Sequence, residues 1–228
     1  MPTFAWPITA YAYRHGTYGP RYVSSGFGPR EKPCSVCSEY HQGLDIAVQT
    51  GTPVLATTDG VVRLIKENSG TAGTYVVVEH DDGYWSRYLH LSAYDVALGD
   101  PVRKGQVIAL SGGDKGAWGA GSSQGAHLHF EIWQGEPRAS GSTALDPKTL
   151  LTEEVSPITR QQAVAMGPLS SVGGGKNQTL VIVASLSAAA AAFGIFFALR
   201  ARAKKAPPPA LVENPRKRRR ARRKRSTR

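Results

Sequence analysis

The chain has 228 residues, a formal charge of +11 and two cysteines. This length holds one domain of ordinary size plus extra segments, and two cysteines exclude a four-cysteine zinc knuckle. The charge is uneven: residues 200–228 carry +13 and residues 1–199 carry −2, so an argument from basicity toward nucleic acid applies to the tail alone.

Residues 1–25 are rich in Tyr, Pro and Gly and read as an irregular lead-in. Met1–Thr9 has no basic n-region and no apolar run, so no secretory signal is expected there. Gly26–Arg30 is turn-rich, and residues 31–40 form a polar loop holding Cys34 and Cys37. That pair suits a small disulfide loop if the domain works outside the cytoplasm.

His41–Val48 alternates, with Leu44, Ile46 and Val48 on one side and His41, Gly43, Asp45 and Ala47 on the other. Short strands with turn signals follow: Pro53–Ala56, Val61–Ile65, Thr74–His80, Tyr84–Leu91 and Val102–Leu110. Asp81-Asp82-Gly83 predicts a hairpin between the third and the fourth. No segment before residue 147 has a helical period, so an all-β domain is expected.

Ser111–Gly125, with six glycines and Trp118, reads as a loop of the length that often forms a lid. It runs into Gly125–Ile132, where His127 and His129 share one strand face and Leu128, Phe130 and Ile132 share the other. Asp146-Pro147 closes the domain, Lys148–Ala165 has room for a short helix, and Gly167–Asn177 is a Gly/Ser-rich linker.

Thr179–Leu199 is 21 residues without a charge, about 30 Å as a helix and enough to cross a bilayer core. Its Ala190-x-x-x-Gly194-x-x-x-Ala198 spacing allows close helix pairing and hence a weak homo-oligomer. Arg216–Arg225 has nine basic residues in ten and predicts a disordered tail able to meet nucleic acid or anionic lipid.

The residues with chemistry are His41, Asp45, His90, His127 and His129. Catalytic zinc takes three protein ligands and keeps a position for water. His41-x-x-x-Asp45 plus one histidine of the His-x-His pair supplies that set. The other histidine of the pair and His90 then remain to accept a proton from the water and to stabilise an oxyanion. His15 and His80 read as ordinary polar surface residues. Tyr88 shares strand parity with His90 and so could line a cleft or pack; Trp118 could grip substrate from its loop.

Gly26–Pro147 resembles the lysostaphin/LytM-type zinc metallopeptidases of bacterial cell walls. The matching pieces fall in the family's order: Phe27-Gly-x-Arg30, His41-x-x-x-Asp45, Gly51-Thr-Pro-Val54 with Ala56, Asp59-Gly60-x-Val62 and Tyr88-x-His90-Leu91. They continue with Gly99-Asp-x-Val102, Lys104-Gly-Gln106, His127-Leu-His129-Phe130 and Asp146-Pro147. The resemblance implies zinc held by His41, Asp45 and His129, with His127 and His90 as the catalytic pair, His127 the base for the water. It also implies peptidoglycan peptides as substrate, bound in a groove of an antiparallel sheet or sandwich over residues 26–150.

On this reading residues 151–178 are a linker, 179–199 a transmembrane helix and 200–228 a basic tail. The basic flank places the tail inside and the peptidase outside a cell, or the tail against the genome inside a virion membrane. A non-catalytic peptidoglycan-binding activator is the competing reading, and retention of all five site positions stands against it. A lipoyl-type carrier is disfavoured because no lysine sits in a tight exposed hairpin.

Overall fold

The computed structural model describes residues 3–166; the expected linker beyond residue 166, the apolar segment 179–199 and the basic tail 200–228 lie outside the described residues. The chain is built from β1 (Phe4–Ala5), β2 (Tyr11–Arg14), β3 (Thr17–Pro20), β4 (Tyr22–Ser25), β5 (Gly28–Pro29) and β6 (Tyr40–His41). β7 (Leu44–Ala47), β8 (Pro53–Leu55), β9 (Gly60–Ser69), β10 (Gly73–Glu79), β11 (Tyr84–Leu89) and β12 (Leu91–Tyr94) follow. The last elements are β13 (Pro101–Val102), β14 (Val107–Ser111), β15 (Leu128–Gln134), β16 (Thr143–Leu145), β17 (Leu151–Glu153) and one short helix, α1 (Arg160–Ala165).

One antiparallel sheet organises these elements, in the order β13-β9-β10-β11-β15-β7-β4, with β16 paired to β15. A smaller sheet, β12-β14-β8, packs beside it. The mainly β, antiparallel architecture expected from the sequence is therefore present, including the β10–β11 hairpin in which Val76 pairs with Tyr88 and Glu79 with Trp85.

The core lies on one face of the large sheet. Leu44 and Ile46 from β7, Val76 and Val78 from β10, Tyr88 from β11, and Leu128, Phe130 and Ile132 from β15 are fully buried there. Strand alternation sends the intervening residues to the opposite face, so Asp45, Arg87, Leu89, His129 and Glu131 project together. Burying one apolar face also fixes the register, because a one-residue slip would exchange the two faces.

The lead-in differs from expectation. Residues 4–25 form four strands, not an irregular segment: β2 and β3 make a hairpin, β4 joins the edge of the large sheet, and β1 pairs in parallel with β17. The His15–Gly16 turn has positive φ at both residues, the geometry that matches hairpin twist. Phe4 and Ile8 are buried, so this segment completes the core.

The stretch after residue 150 is likewise not wholly linker. β17 closes the domain, and α1 starts with a Thr159–Gln162 capping box and is tied to the sheet by the Arg160–Asp100 ion pair at 2.6 Å. Among the described residues no helix is long and apolar enough to cross a membrane.

Candidate metal centre and groove

Three neighbouring segments meet at the open face of the sheet. Asp45 lies directly opposite His129 in the β7–β15 pair, so strand register alone sets them side by side. His41 reaches them from β6, which pairs with β5 through Gly28. The chain turns between His41 and Asp45 at Gly43, where a Cβ would collide with the Phe130 carbonyl; only glycine permits this close approach.

The donor atoms converge. Asp45 Oδ1 lies 3.2 Å from His41 Nε2 and 2.9 Å from His129 Nδ1, and the two nitrogens are 3.0 Å apart. The remaining polar atoms are committed elsewhere. His41 Nδ1 donates to the Gly26 carbonyl at 2.6 Å, His129 Nε2 donates to Glu131 Oε1 at 3.0 Å, and Asp45 Oδ2 accepts from Arg30 Nη1 at 3.1 Å. One ligand atom from each residue is thus aimed at a common point, and each imidazole is oriented by a partner on its other nitrogen. Two histidines and one carboxylate in this arrangement fit zinc, and among the described residues this is the group placed to hold a metal ion.

The electrostatics agree. Burial works against the charge of Asp45, but hydrogen bonds from His127, His129 and His41 outweigh it and hold the carboxyl well below the usual carboxylate range. Burial pushes His129 down, yet hydrogen bonds to Asp45 and Glu131, with the charges of both, raise it to about 9. As an imidazolium His129 donates from both nitrogens; a bound metal ion would take the place of the proton shared with Asp45, and Glu131 would keep the other.

Two further imidazoles border this point. His127 precedes β15 and is held by an isolated bridge to Gly112; its Nδ1 lies 2.8 Å from the Gly125 carbonyl and 3.2 Å from Ser123 Oγ, and its Nε2 is 3.4 Å from Asp45 Oδ1. His90 stands between β11 and β12, its ring 4.9 Å from His127 and 5.9 Å from His129. Burial lowers His90 to about 3, helped by the neighbouring charges of His127 and His129, so it is a neutral imidazole near neutral pH. Its Nδ1 is buried without a hydrogen-bond partner among the described residues.

The five residues singled out from the sequence therefore sit together. Tyr88 does not join them. It is fully buried, its ring 5.2 Å from Phe130 and its hydroxyl bonded to Ser86 and Thr57. The shared parity of Tyr88 and His90 requires a continuous strand, but His90 has φ of 60°, which breaks the alternation and turns its side chain to the open face. His80 is also corrected: it is buried, bonded to the Asp59 carbonyl and to Ser86 Oγ at 2.8 Å each, not a surface residue.

The metal centre opens into a groove of about 340 Å³ whose walls include Arg30, Tyr40, Gln42, Thr71, Ser122 and Arg138. Cys34 and Cys37 are joined, and their loop supplies Val36 and Cys37 to one wall. The glycine-rich loop supplies Ser122 and is pinned in place: Gly119 N–H donates to Asn68 Oδ1 at 2.7 Å and Ser122 N–H to the Thr71 carbonyl at 3.0 Å. Trp118 on that loop is half-buried and is not among the residues lining the groove.

Sequence reasoning passed over the supports of the site. Glu131 is buried under His129 and accepts from Arg87 Nη1 at 2.7 Å and Trp133 Nε1 at 2.6 Å. Its parity with His127 and His129 was the available signal. Arg30 belongs to a recognised motif, but its grip on Asp45, fifteen residues on, depends on how the chain folds back between them.

A family model described as Peptidase family M23 matches residues 39–147. The Vibrio cholerae protein named peptidoglycan DD-endopeptidase ShyB is 41% identical over 113 residues, which cover 49% of this chain and 25% of that protein. The Neisseria meningitidis protein named DD-carboxypeptidase/endopeptidase Mpg is 35% identical over 153 residues, covering 67% of this chain and 34% of that one. The solved catalytic domain of lysostaphin from Staphylococcus simulans is 32% identical; the match covers 57% of this chain and 90% of the domain, with a TM-score of 0.49. Residues 39–147 thus form a peptidase family M23 domain, and the His–Asp–His centre they contain fits the zinc of a metallopeptidase. The matches span only a quarter to a third of the two curated relatives' lengths.

Proposed function

We propose that this chain is an endopeptidase that hydrolyses peptide cross-links of bacterial peptidoglycan, with zinc held by His41, Asp45 and His129. The observation that carries this reading is the convergence of His41 Nε2, Asp45 Oδ1 and His129 Nδ1 at the floor of a groove, with His127 and His90 beside them. Relatives named peptidoglycan DD-endopeptidases support the substrate.

Bound at this centre, zinc supplies Lewis acidity that makes water a nucleophile near neutral pH and polarises the scissile carbonyl. His127, oriented through Nδ1 by Gly125 and Ser123, turns Nε2 toward the centre and takes the proton of the attacking water. His90, neutral and buried, donates a hydrogen bond to the developing oxyanion. His127 then returns its proton to the leaving amine, which completes the hydrolysis.

The apolar segment 179–199 anchors this activity to a membrane, and the basic flank that follows it keeps the tail on the cytoplasmic side. The +13 charge of residues 200–228 also favours a second reading, a virion membrane protein whose tail meets packaged nucleic acid. The deciding experiment is digestion of several isolated cell walls by the purified protein, with mass analysis of the fragments. New amino and carboxyl ends at cross-links, abolished by a chelator and restored by zinc, are expected. Wall binding without any new ends would favour the non-catalytic activator instead.

A further inference from the structure

Three arginines line the groove, and they are not equivalent. Arg30 and Arg87 are largely buried and committed, the first to Asp45 and the second to Glu131. The Arg138 side chain is 58% exposed. Among the described residues its one ion-pair contact is the edge of Glu131, Nη2 to Oε1 at 3.5 Å. Glu131 already accepts close hydrogen bonds from Arg87, Trp133 and His129, so it has little left to offer a second guanidinium.

Glu131 is also the only carboxylate among the described residues that line the groove. Arg30 and Arg87 are matched by Asp45 and Glu131, which leaves Arg138 as the positive charge that these two carboxylates do not balance. Arg138 is linked to the metal centre through its 3.5 Å ion-pair contact with Glu131 and the Glu131–His129 hydrogen bond. Its guanidinium stacks 5.4 Å from the Trp133 ring centroid, which orients the plane.

Arg138 lies in the turn between β15 and β16 with φ of 71°, in the left-handed region that disfavours a bulky side chain and would suit glycine.

Resting on the reading of the chain as a cross-link endopeptidase, we propose that Arg138 binds a free carboxylate of the cross-linked peptide. The groove then prefers cross-links that keep this carboxylate free over forms in which it is an amide. A planar guanidinium pairs with a carboxylate through two parallel hydrogen bonds, which gives orientation as well as attraction.

The test uses the full-length zinc-loaded protein and synthetic cross-linked peptides in three forms: all carboxylates free, the carboxylate beside the scissile amide converted to amide, and the terminal carboxylate converted to amide. The wild type is expected to show a KM about 10–100-fold lower for the free acid than for one of the amides, the range for a hydrogen bond to a charged group. Which amide suffers identifies the carboxylate. Arg138→Gln and Arg138→Gly should both bring that KM ratio close to one with zinc content unchanged. The glycine variant should keep or raise the melting temperature, because it relieves the left-handed backbone. A wild type that cuts all three forms with equal KM, or variants that keep the full ratio, would overturn the role of Arg138. Failure of the wild type to cut any form would instead strike at the endopeptidase reading.

Discussion

His80 and His129 are both buried imidazoles, placed on opposite faces of one sheet. His80 sits on the core side with Ser86 and Tyr88; burial drives it down to about 4, and the Asp59 carbonyl only partly offsets this. His129 sits on the open side between Asp45 and Glu131, and although burial pushes it the same way, two carboxylates lift it to about 9. Desolvation is common to both. The difference lies in whether an anion is within hydrogen-bond reach, and that separates a histidine that packs from one that holds a cation.

The sharpest way to break this contrast is at the open face. His129→Ala should lose zinc, since two ligands hold the metal poorly, whereas His127→Ala and His90→Ala should retain it. The latter pair should lose about 10²–10⁴-fold in turnover, the usual worth of a general base or oxyanion donor. Metal analysis alongside rate measurement separates the two classes. Full zinc occupancy in His129→Ala with loss in His127→Ala would exchange the roles of the two histidines.

On the core side, the depressed pKa of His80 makes folding pH-dependent. The folded state binds fewer protons than the unfolded state between about pH 6.5 and 4, so its contribution is complete above that window and is lost as pH falls through it. The loss amounts to about 3 kcal/mol at its limit. Denaturant unfolding at a series of pH values should show this slope, and His80→Asn should reduce it by one proton's worth; an unchanged slope would mean that His80 does not change its protonation on unfolding.

A smaller effect is expected from the support of His129. Glu131→Gln keeps the shape but loses the charge that fixes the Nε2 proton, and zinc affinity should fall about 10–100-fold. Competition with a chromogenic chelator measures this directly, and equal affinity in the two proteins would show that Glu131 only packs.

The features legible from sequence were those written into local alternation. His127, His129 and the apolar residues between them declared a two-faced strand, and Thr74–Leu91 declared a hairpin. Tyr88 was ambiguous because the positive φ of His90 carries no residue signature as glycine does. His80 reads as a surface residue in sequence because its partners lie elsewhere in the fold, Asp59 in the bend before β9 and Ser86 in β11. The first 25 residues hid their strands for a related reason. β1 pairs with β17 almost 150 positions away, and nothing in a Tyr-, Pro- and Gly-rich stretch names so remote a partner.

That β1–β17 pairing also has a mechanical consequence. Phe4 lies beside Leu151, and the Trp6 amide is bonded to the Glu153 carbonyl at 3.0 Å, so the two ends of the folded unit are clasped together at one place. Tension applied through the chain beyond residue 166 meets the Arg160–Asp100 ion pair and the Ile158 bridge to Gln106, and then this clasp, before it reaches β7, β11 or β15. A pull from that side is taken up by these contacts, while the strands that aim His41, Asp45 and His129 stay outside the load path.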